Sequence, residues 1–248
     1  MHYCWLCLLV GGLGWSAAPA ATDDPRAIIA KALAAAGGKL TDKDRALTWS
    51  ETGVFHLMGQ QIKYQMQWSF VSATQWRFDF EGIELPVKIK VVMNGPRAWQ
   101  AAAGQVEEIK DEKLGYVKHQ GYVQWLSTLY PLLEKPEFKL SQAGELEVEG
   151  KPAVGVRVSH PEHEEVTLYF DKATHLLVGA ETTVLNEFAG WAKAKQSTRL
   201  LDYKTVGGRQ VFTRIKVIRD DQPLLESTLS DHKRHERLEA VLFAEPQP

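Results

Sequence analysis

The sequence predicts a mainly β domain with an α cover, a single antiparallel sheet on which a few helices lie. Three observations predict it. Consecutive segments between Ala46 and Gln100 alternate apolar and polar residues with a period of two, and a second series of such segments runs from Leu140 to Leu229. Short turn sequences separate them, Asn94-Gly95, Gly150-Lys151-Pro152, Gly207-Gly208 and Asp220-Asp221 among them, which is the punctuation of antiparallel pairing. Helical spacing appears after Asp24 and after Asp111.

The first helix opens at Asp24-Pro25, an acidic cap followed by proline at the first helical position, and closes at Gly37-Gly38. Ile28, Ile29 and Leu33 give it a thin apolar stripe that needs a sheet to lie on. Leu47, Trp49, Phe55 and Leu57 then share one face of a strand ending at Gly59-Gln60-Gln61. Ile62, Tyr64, Met66, Trp68 and Phe70 share a face of the next, with Lys63, Gln65, Gln67 and Ser69 opposite. Ser72-Ala73-Thr74-Gln75 turns the chain into Trp76, Phe78 and Phe80, which alternate with Arg77, Asp79 and Glu81. Val87, Ile89, Val91 and Met93 lead to Asn94-Gly95, and Trp99 follows on the return strand. The result is one face rich in Trp, Phe, Tyr and Met, and a face of that size must meet a helix layer or a ligand.

From Asp111 to Glu134, Val117, Tyr122, Trp125, Leu126, Leu129 and Leu133 fit an amphipathic helix or a broken pair. Gly115 and Gly121 weaken its continuity, and Pro131 and Pro136 limit its end. Its stripe is the natural cover for the aromatic face. Strands are then expected around Leu140, over 146–148 and 154–158 as a hairpin, and over 166–170, 175–184, 198–203, 211–218 and 224–229. Asn186 to Trp191 is a loop with an aromatic tip, and Leu238 to Phe243 either adds a short strand or lies against the sheet. The expectation is ten to twelve strands and two helical segments in one domain, with no linker between them.

Composition narrows the class. The first twenty-two residues carry no Asp, Glu, Lys or Arg and run from an apolar core at Cys4 to Val10 to the small residues Ala18 and Ala20, which reads as a secretory signal peptide cleaved after Ala20, with Ala21 the alternative. Residues 21–248 are then the folded domain. Cys4 and Cys7 are the only cysteines, and both fall inside the expected signal, so no disulfide holds the domain. Neither is preceded by the small residue a lipidation signal needs, so no lipid anchor is expected. A formal net charge of −2 lacks the basic footprint of a nucleic-acid binder.

Catalytic patterns are absent: there is no nucleophile elbow, no phosphate-binding glycine loop and no metalloprotease helix motif, so the expectation is a protein that is not an enzyme and carries no cofactor. His160-Pro161-Glu162-His163-Glu164-Glu165 gathers imidazoles and carboxylates, but its spacing matches no closed ligand set and it reads as a solvated loop. Asp231-His232-Lys233-Arg234-His235-Glu236 reads likewise as a solvated face. Arg77, between Trp76 and Phe78, reads as an outward strand charge paired with a neighbour. The aromatic face is the main functional signal, either a closed core or the wall of an apolar cleft. An acyl chain is the natural ligand of such a cleft, at about 0.8 kcal/mol per buried CH₂.

The order of these elements resembles the bacterial lipoprotein-carrier superfamily of LolA- and LolB-type periplasmic chaperones. The residues that carry the resemblance are Gln67-Trp68-Ser69-Phe70, then Trp76-Arg77-Phe78-Asp79-Phe80, then Asn94-Gly95 with Ala98-Trp99-Gln100, and later Leu168-Tyr169-Phe170-Asp171 with Leu176-Leu177-Val178. The resemblance implies a sheet curved into an incomplete (half) β-barrel, lidded by two or three helices, whose concave face receives acyl chains of lipoproteins or lipids. Under it, Trp49, Tyr64, Met66, Trp68, Phe70, Trp76, Phe78 and Trp99 line the cleft, and Trp125 and Leu129 lie on the lid. It implies a monomeric periplasmic or secreted carrier, with membrane-bound donor and acceptor proteins as possible partners and no nucleic acid. The family's Arg-Pro pair, whose arginine helps latch the lid, is replaced here by Ser72-Ala73. A non-enzymatic envelope interaction domain with the same fold and a filled core is the alternative.

Overall fold

Thirteen strands join one antiparallel sheet in the computed structural model, which describes residues 24–38, 40–41, 44–57 and 59–247. The expected signal peptide lies outside the described residues. After helix α1 (Pro25–Ala35), a first meander comprises β1 (Ala46–Leu57), β2 (Gln60–Ser72), β3 (Gln75–Gly82), β4 (Lys88–Asn94), β5 (Arg97–Ala102) and β6 (Gln105–Ile109). Helices α2 (Asp111–Leu126) and α3 (Tyr130–Glu134) follow. The second meander comprises β7 (Lys139–Val148), β8 (Lys151–His160), β9 (His163–Asp171), β10 (Leu177–Asn186), β11 (Ala192–Val206), β12 (Arg209–Arg219) and β13 (Gln222–His235).

The strand order is β6-β5-β4-β3-β2-β1-β13-β12-β11-β10-β9-β8-β7, so β1 and β13 join the two meanders and β6 and β7 are the free edges. The chain between those edges is the α2–α3 segment, which must cross the sheet from one side to the other. That connection places α2 on the concave face, because a 16-residue helix of about 24 Å covers the width that the crossing requires. The half-barrel lidded by helices is therefore the observed fold. Charged side chains blunt both edges, Glu107 and Glu108 on β6 and Glu145 and Glu147 on β7.

The register shows which residues share a face. Leu47, Phe70, Trp76, Met93, Ala98 and Ile109 are successive cross-strand partners from β1 to β6, and Trp49, Trp68, Phe78 and Val91 form the parallel row. Both rows face inward, into one cluster with Val117 and Leu114 of α2. Thr48, Ser69, Arg77, Val92, Trp99 and Glu108 form the outward row. Trp99 is thus a correction to the expected cleft wall: it packs on the convex face with Val92 and Phe243, where a 3₁₀ turn at Ala240–Phe243 covers it. Since side chains alternate, one residue of register decides the face. Arg77, on the same side, clamps Asp79 through two bonds of 2.6 and 2.7 Å and reaches the Leu242 carbonyl at 3.4 Å.

Helix α2 is continuous through Gly115 and Gly121, and the break falls instead at Leu129, whose φ of 62° is left-handed. Gly121 is a packing residue. A Cβ there would lie 2.2 Å from Trp76 Nε1 and 2.3 Å from the Ala73 carbonyl oxygen, whereas one at Gly115 meets nothing within 4 Å. Helix propensity alone makes glycine-to-alanine stabilising by about 1 kcal/mol at either site. Overpacking against backbone costs about 1–3 kcal/mol. Gly115→Ala is therefore expected to raise the denaturant midpoint and Gly121→Ala to lower it; a gain at both sites contradicts this packing of α2.

Candidate functional site

Helix α2 packs on the aromatic part of the concave face, and a cavity opens beside it. Trp68 stacks on Trp49 at 5.2 Å and tilts against Phe78 at 5.0 Å, and Phe70 and Trp76 are fully buried in the same cluster beneath α2. Tyr64 and Met66 lie further along β2. Trp125 on α2 bridges the two large clusters, with the Lys135 ammonium 5.3 Å from its ring centre. Of the expected cleft residues, Tyr64, Met66, Phe70 and Trp76 are buried in the sheet core, Trp68 and Phe78 pack against it partly buried, and none of the six lines the cavity.

A cavity of about 280 Å³ remains at the end where the C-termini of α1 and α2 meet the sheet. Leu47 and Trp49 of β1, Phe212 of β12 and Leu229 of β13 form its floor, and Leu33 of α1, Gln124 of α2 and Leu129 form its roof. Of the residues expected from sequence, Trp49 and Leu129 line it. The left-handed turn at Leu129 is what lets α2 stop and α3 start without filling the space. Tyr203 also lines the cavity; its hydroxyl donates to the Leu177 carbonyl, and burial raises its pKa.

The mouth is polar and comes from residues that alternation alone assigns outward. On β13, Leu225, Ser227 and Leu229 face inward, paired to Phe55, Gly53 and Glu51. An irregularity between Thr48 and Ser50 of β1, opposite Asp231 with φ 53°, then shifts the phase, so Arg234 pairs to the inward Leu47. Bulges re-aim side chains in this way. His232 and Arg234, expected on a solvated face, accordingly line the cavity. Arg209 stands beside them, donating to the Gly38 carbonyl at 2.9 Å and to Asp44 at 3.3 Å. Asp44 is also held by the amide and hydroxyl of Thr41 at 2.9 and 2.7 Å, and these bonds keep its pKa below the usual carboxylate value.

Beyond the cavity the inward face holds a buried carboxylate. Tyr64 donates to Glu51 at 2.6 Å, Trp68 Nε1 donates to it at 3.2 Å, and Ser227 donates to the Tyr64 oxygen. Burial, reinforced by the Glu51 carboxylate, pushes the Tyr64 phenol pKa up. At the far end Arg219 donates to Glu187 at 2.7 Å, to Gln196 at 2.9 Å and to Tyr116 at 3.2 Å, fastening the 186–191 loop to α2. The expected aromatic tip docks there, Trp191 edge-on to Tyr116 and Phe188 edge-on to Phe55.

In the His160 loop Pro161, Glu162, Glu164 and Glu165 are exposed as expected, whereas the two histidines are half-buried. His160 and His163 pair at the β8–β9 hairpin end, and the His163 ring stacks on Tyr122 of α2 at 3.8 Å. His119, one turn earlier, is 8 % exposed and meets Thr182 at 3.0 Å. Thr182 spends its proton on the Glu165 carbonyl, so His119 Nε2 is the donor. Burial, with His163 nearby, lowers the His119 pKa to about 4. No metal-ligating group of three or more such side chains occurs among the described residues.

No protein-family model and no curated protein matches the chain. Solved structures do. A LolA superfamily protein from Nitrosomonas europaea superposes with a TM-score of 0.55 at 12% identity, covering 90% of this chain and 98% of that one. A DUF1329 family protein from Desulfovibrio piger gives 0.59 at 12% identity over 90% and 98%, and an outer membrane lipoprotein-sorting protein domain from Vibrio parahaemolyticus gives 0.56 at 9% over 89% and 97%. At these identities the likeness establishes a LolA-like fold.

Proposed function

We propose, with this fold as premise, that the chain is a periplasmic or secreted carrier whose cavity takes up an acyl chain of a lipid or lipoprotein by burial, without bond-making chemistry. The observation that carries the reading is the apolar space between Trp49, Phe212 and Leu229 below and Leu33 and Leu129 above, left open beside the closely packed cluster under α2. Each methylene placed there gains about 0.8 kcal/mol. The lipoprotein-sorting name of one structural neighbour supports the reading, and so does the apolar N-terminal segment read as a signal peptide. Among the described residues no helix is long and apolar enough to cross a membrane. Membrane-bound donor and acceptor proteins would load and unload such a carrier.

The closed packing of β2 to β5 favours a second reading, an interaction domain with a filled core. An environment-sensitive apolar fluorophore separates the two. One probe is expected to bind per chain, and Gln124→Trp, which puts an indole into the space under α2, is expected to weaken binding on the order of tenfold or more. No uptake by the folded wild-type protein contradicts the carrier reading.

A further inference from the structure

The mouth of the cavity carries a charge pattern that the apolar interior does not explain. Arg209 and Arg234 line it, with Lys233 between His232 and Arg234 on the same strand, and Asp44 is the one carboxylate there among the described residues, in a chain whose overall charge is −2. Asp44 is already engaged by Arg209 and by both donors of Thr41. Arg234 is different. It is half-buried, turned inward by the Asp231 irregularity, and makes no hydrogen bond or ion pair among the described residues. Burial and the neighbouring Arg209 disfavour its charge and outweigh the favourable field of the Asp44 carboxylate. A half-buried guanidinium with five donors and no hydrogen-bond acceptor among the described residues is costly unless something supplies oxygen atoms.

We propose that Arg234 is the head-group contact of the carrier, and that the ligand is a single-chain amphiphile ending in an anionic oxygen group. The proposal rests on the carrier reading and adds the ligand class to it. The chain lies on Trp49, Phe212 and Leu229, and the head meets the Arg234 fork at the rim, with Arg209 adding to the field while it holds Asp44. A guanidinium binds carboxylate or phosphate oxygens through two parallel bonds, so either head fits. Cavity size argues for one chain: about 280 Å³ lies just below the range of sites for drug-sized ligands. The phase shift at Asp231 acquires a purpose here, because an unbroken β13 would send Arg234 to the convex side.

Binding of four amphiphiles with matched chains tests the proposal by calorimetry on the full folded protein: palmitate, palmitoyl lysophosphatidylglycerol, palmitoyl lysophosphatidylcholine and hexadecanol. Wild type is expected to bind an anionic species on the order of tenfold or more tighter than hexadecanol. Preference for palmitate identifies a free fatty acid, and preference for lysophosphatidylglycerol an anionic lysophospholipid. Arg234→Gln is expected to bring the anionic ligand down to the affinity of the neutral one, and Arg234→Lys to restore part of the difference. Equal binding of all four amphiphiles overturns the head-group assignment and leaves the carrier reading standing. Binding of none overturns both.

Discussion

Replacing Trp76 with alanine is expected to cost about 3–5 kcal/mol, the largest loss of any single substitution in the sheet core. Its ring is fully buried, stacked on Phe78 at 6.0 Å, tilted against Trp68 at 5.8 Å and pressed on Gly121 of α2. Truncation opens a cavity that the backbone of β3 and α2 cannot collapse into, because Ala73 already touches the helix at Gly121. One term opposes this. Trp76 Nε1 is buried with no acceptor among the described residues, and a lone buried donor costs about 1–3 kcal/mol. Trp76→Phe removes that donor while keeping most of the ring, so its stability is expected to stay within about 1 kcal/mol of wild type. Chemical denaturation of the pair decides the matter. A loss under about 1 kcal/mol for the alanine variant means that α2 does not bear on the sheet at this point.

Acid is expected to destabilise the protein well before its carboxylates titrate. His119 has a pKa of about 4 in the fold against 6.5 in the unfolded chain. Because the folded value is lowered, the neutral imidazole contributes its full stability above pH 6.5. Below that the unfolded chain takes up a proton that the folded chain refuses, and stability falls until about pH 4. Between pH 7.5 and 4.5 this one group accounts for roughly 2–3 kcal/mol. His163, whose pKa burial also lowers, acts in the same direction. Glu164 opposes the shift of His119, and Lys118 adds to that of His163. His119→Gln keeps a donor for Thr182 and cannot titrate. Unfolding free energies at the two pH values should differ less in this variant than in wild type, and an unchanged difference contradicts the buried, neutral imidazole.

Much of this was legible in the sequence. Strict alternation from Leu47 to Met93 marked the inward faces correctly except at Val87, which is exposed and precedes β4, because a half-buried antiparallel strand allows only one phase. Trp99 broke the pattern. Its strand has Ala98 inward and Trp99 outward, and the larger residue suggests the opposite phase until Phe243, at the far end of the chain, is seen to cover it. The short strand β6 was missed for lack of apolar residues. Glu51 was passed over between inward neighbours because the Tyr64 and Trp68 donors that satisfy it come from the next strand.

The cavity was the least legible part. Expectation placed it over the aromatic meander, whereas α2 packs on β2 to β5 and the open space lies over β1 and β11 to β13. Where the two helices end, and hence what they leave uncovered, depends on the left-handed Leu129 and on the path from α1 to β1. Neither has a periodic signature. The inward turn of His232 and Arg234 depends on an irregularity at Asp231 that reads, one residue at a time, as ordinary surface charge. The histidines followed the same rule: His160 and His163 share the β8–β9 hairpin, and only the crossing of α2 over it brings His119 beside them.

The central claim is that the cavity holds an acyl chain, and its most direct test is mass spectrometry of organic extracts of the protein, purified without detergent from the envelope of its native host. One acyl-chain amphiphile per chain is expected, and the Gln124→Trp variant purified in parallel should be depleted of it. A clean extract from folded, monomeric wild-type protein contradicts the claim and leaves an interaction domain with a filled core.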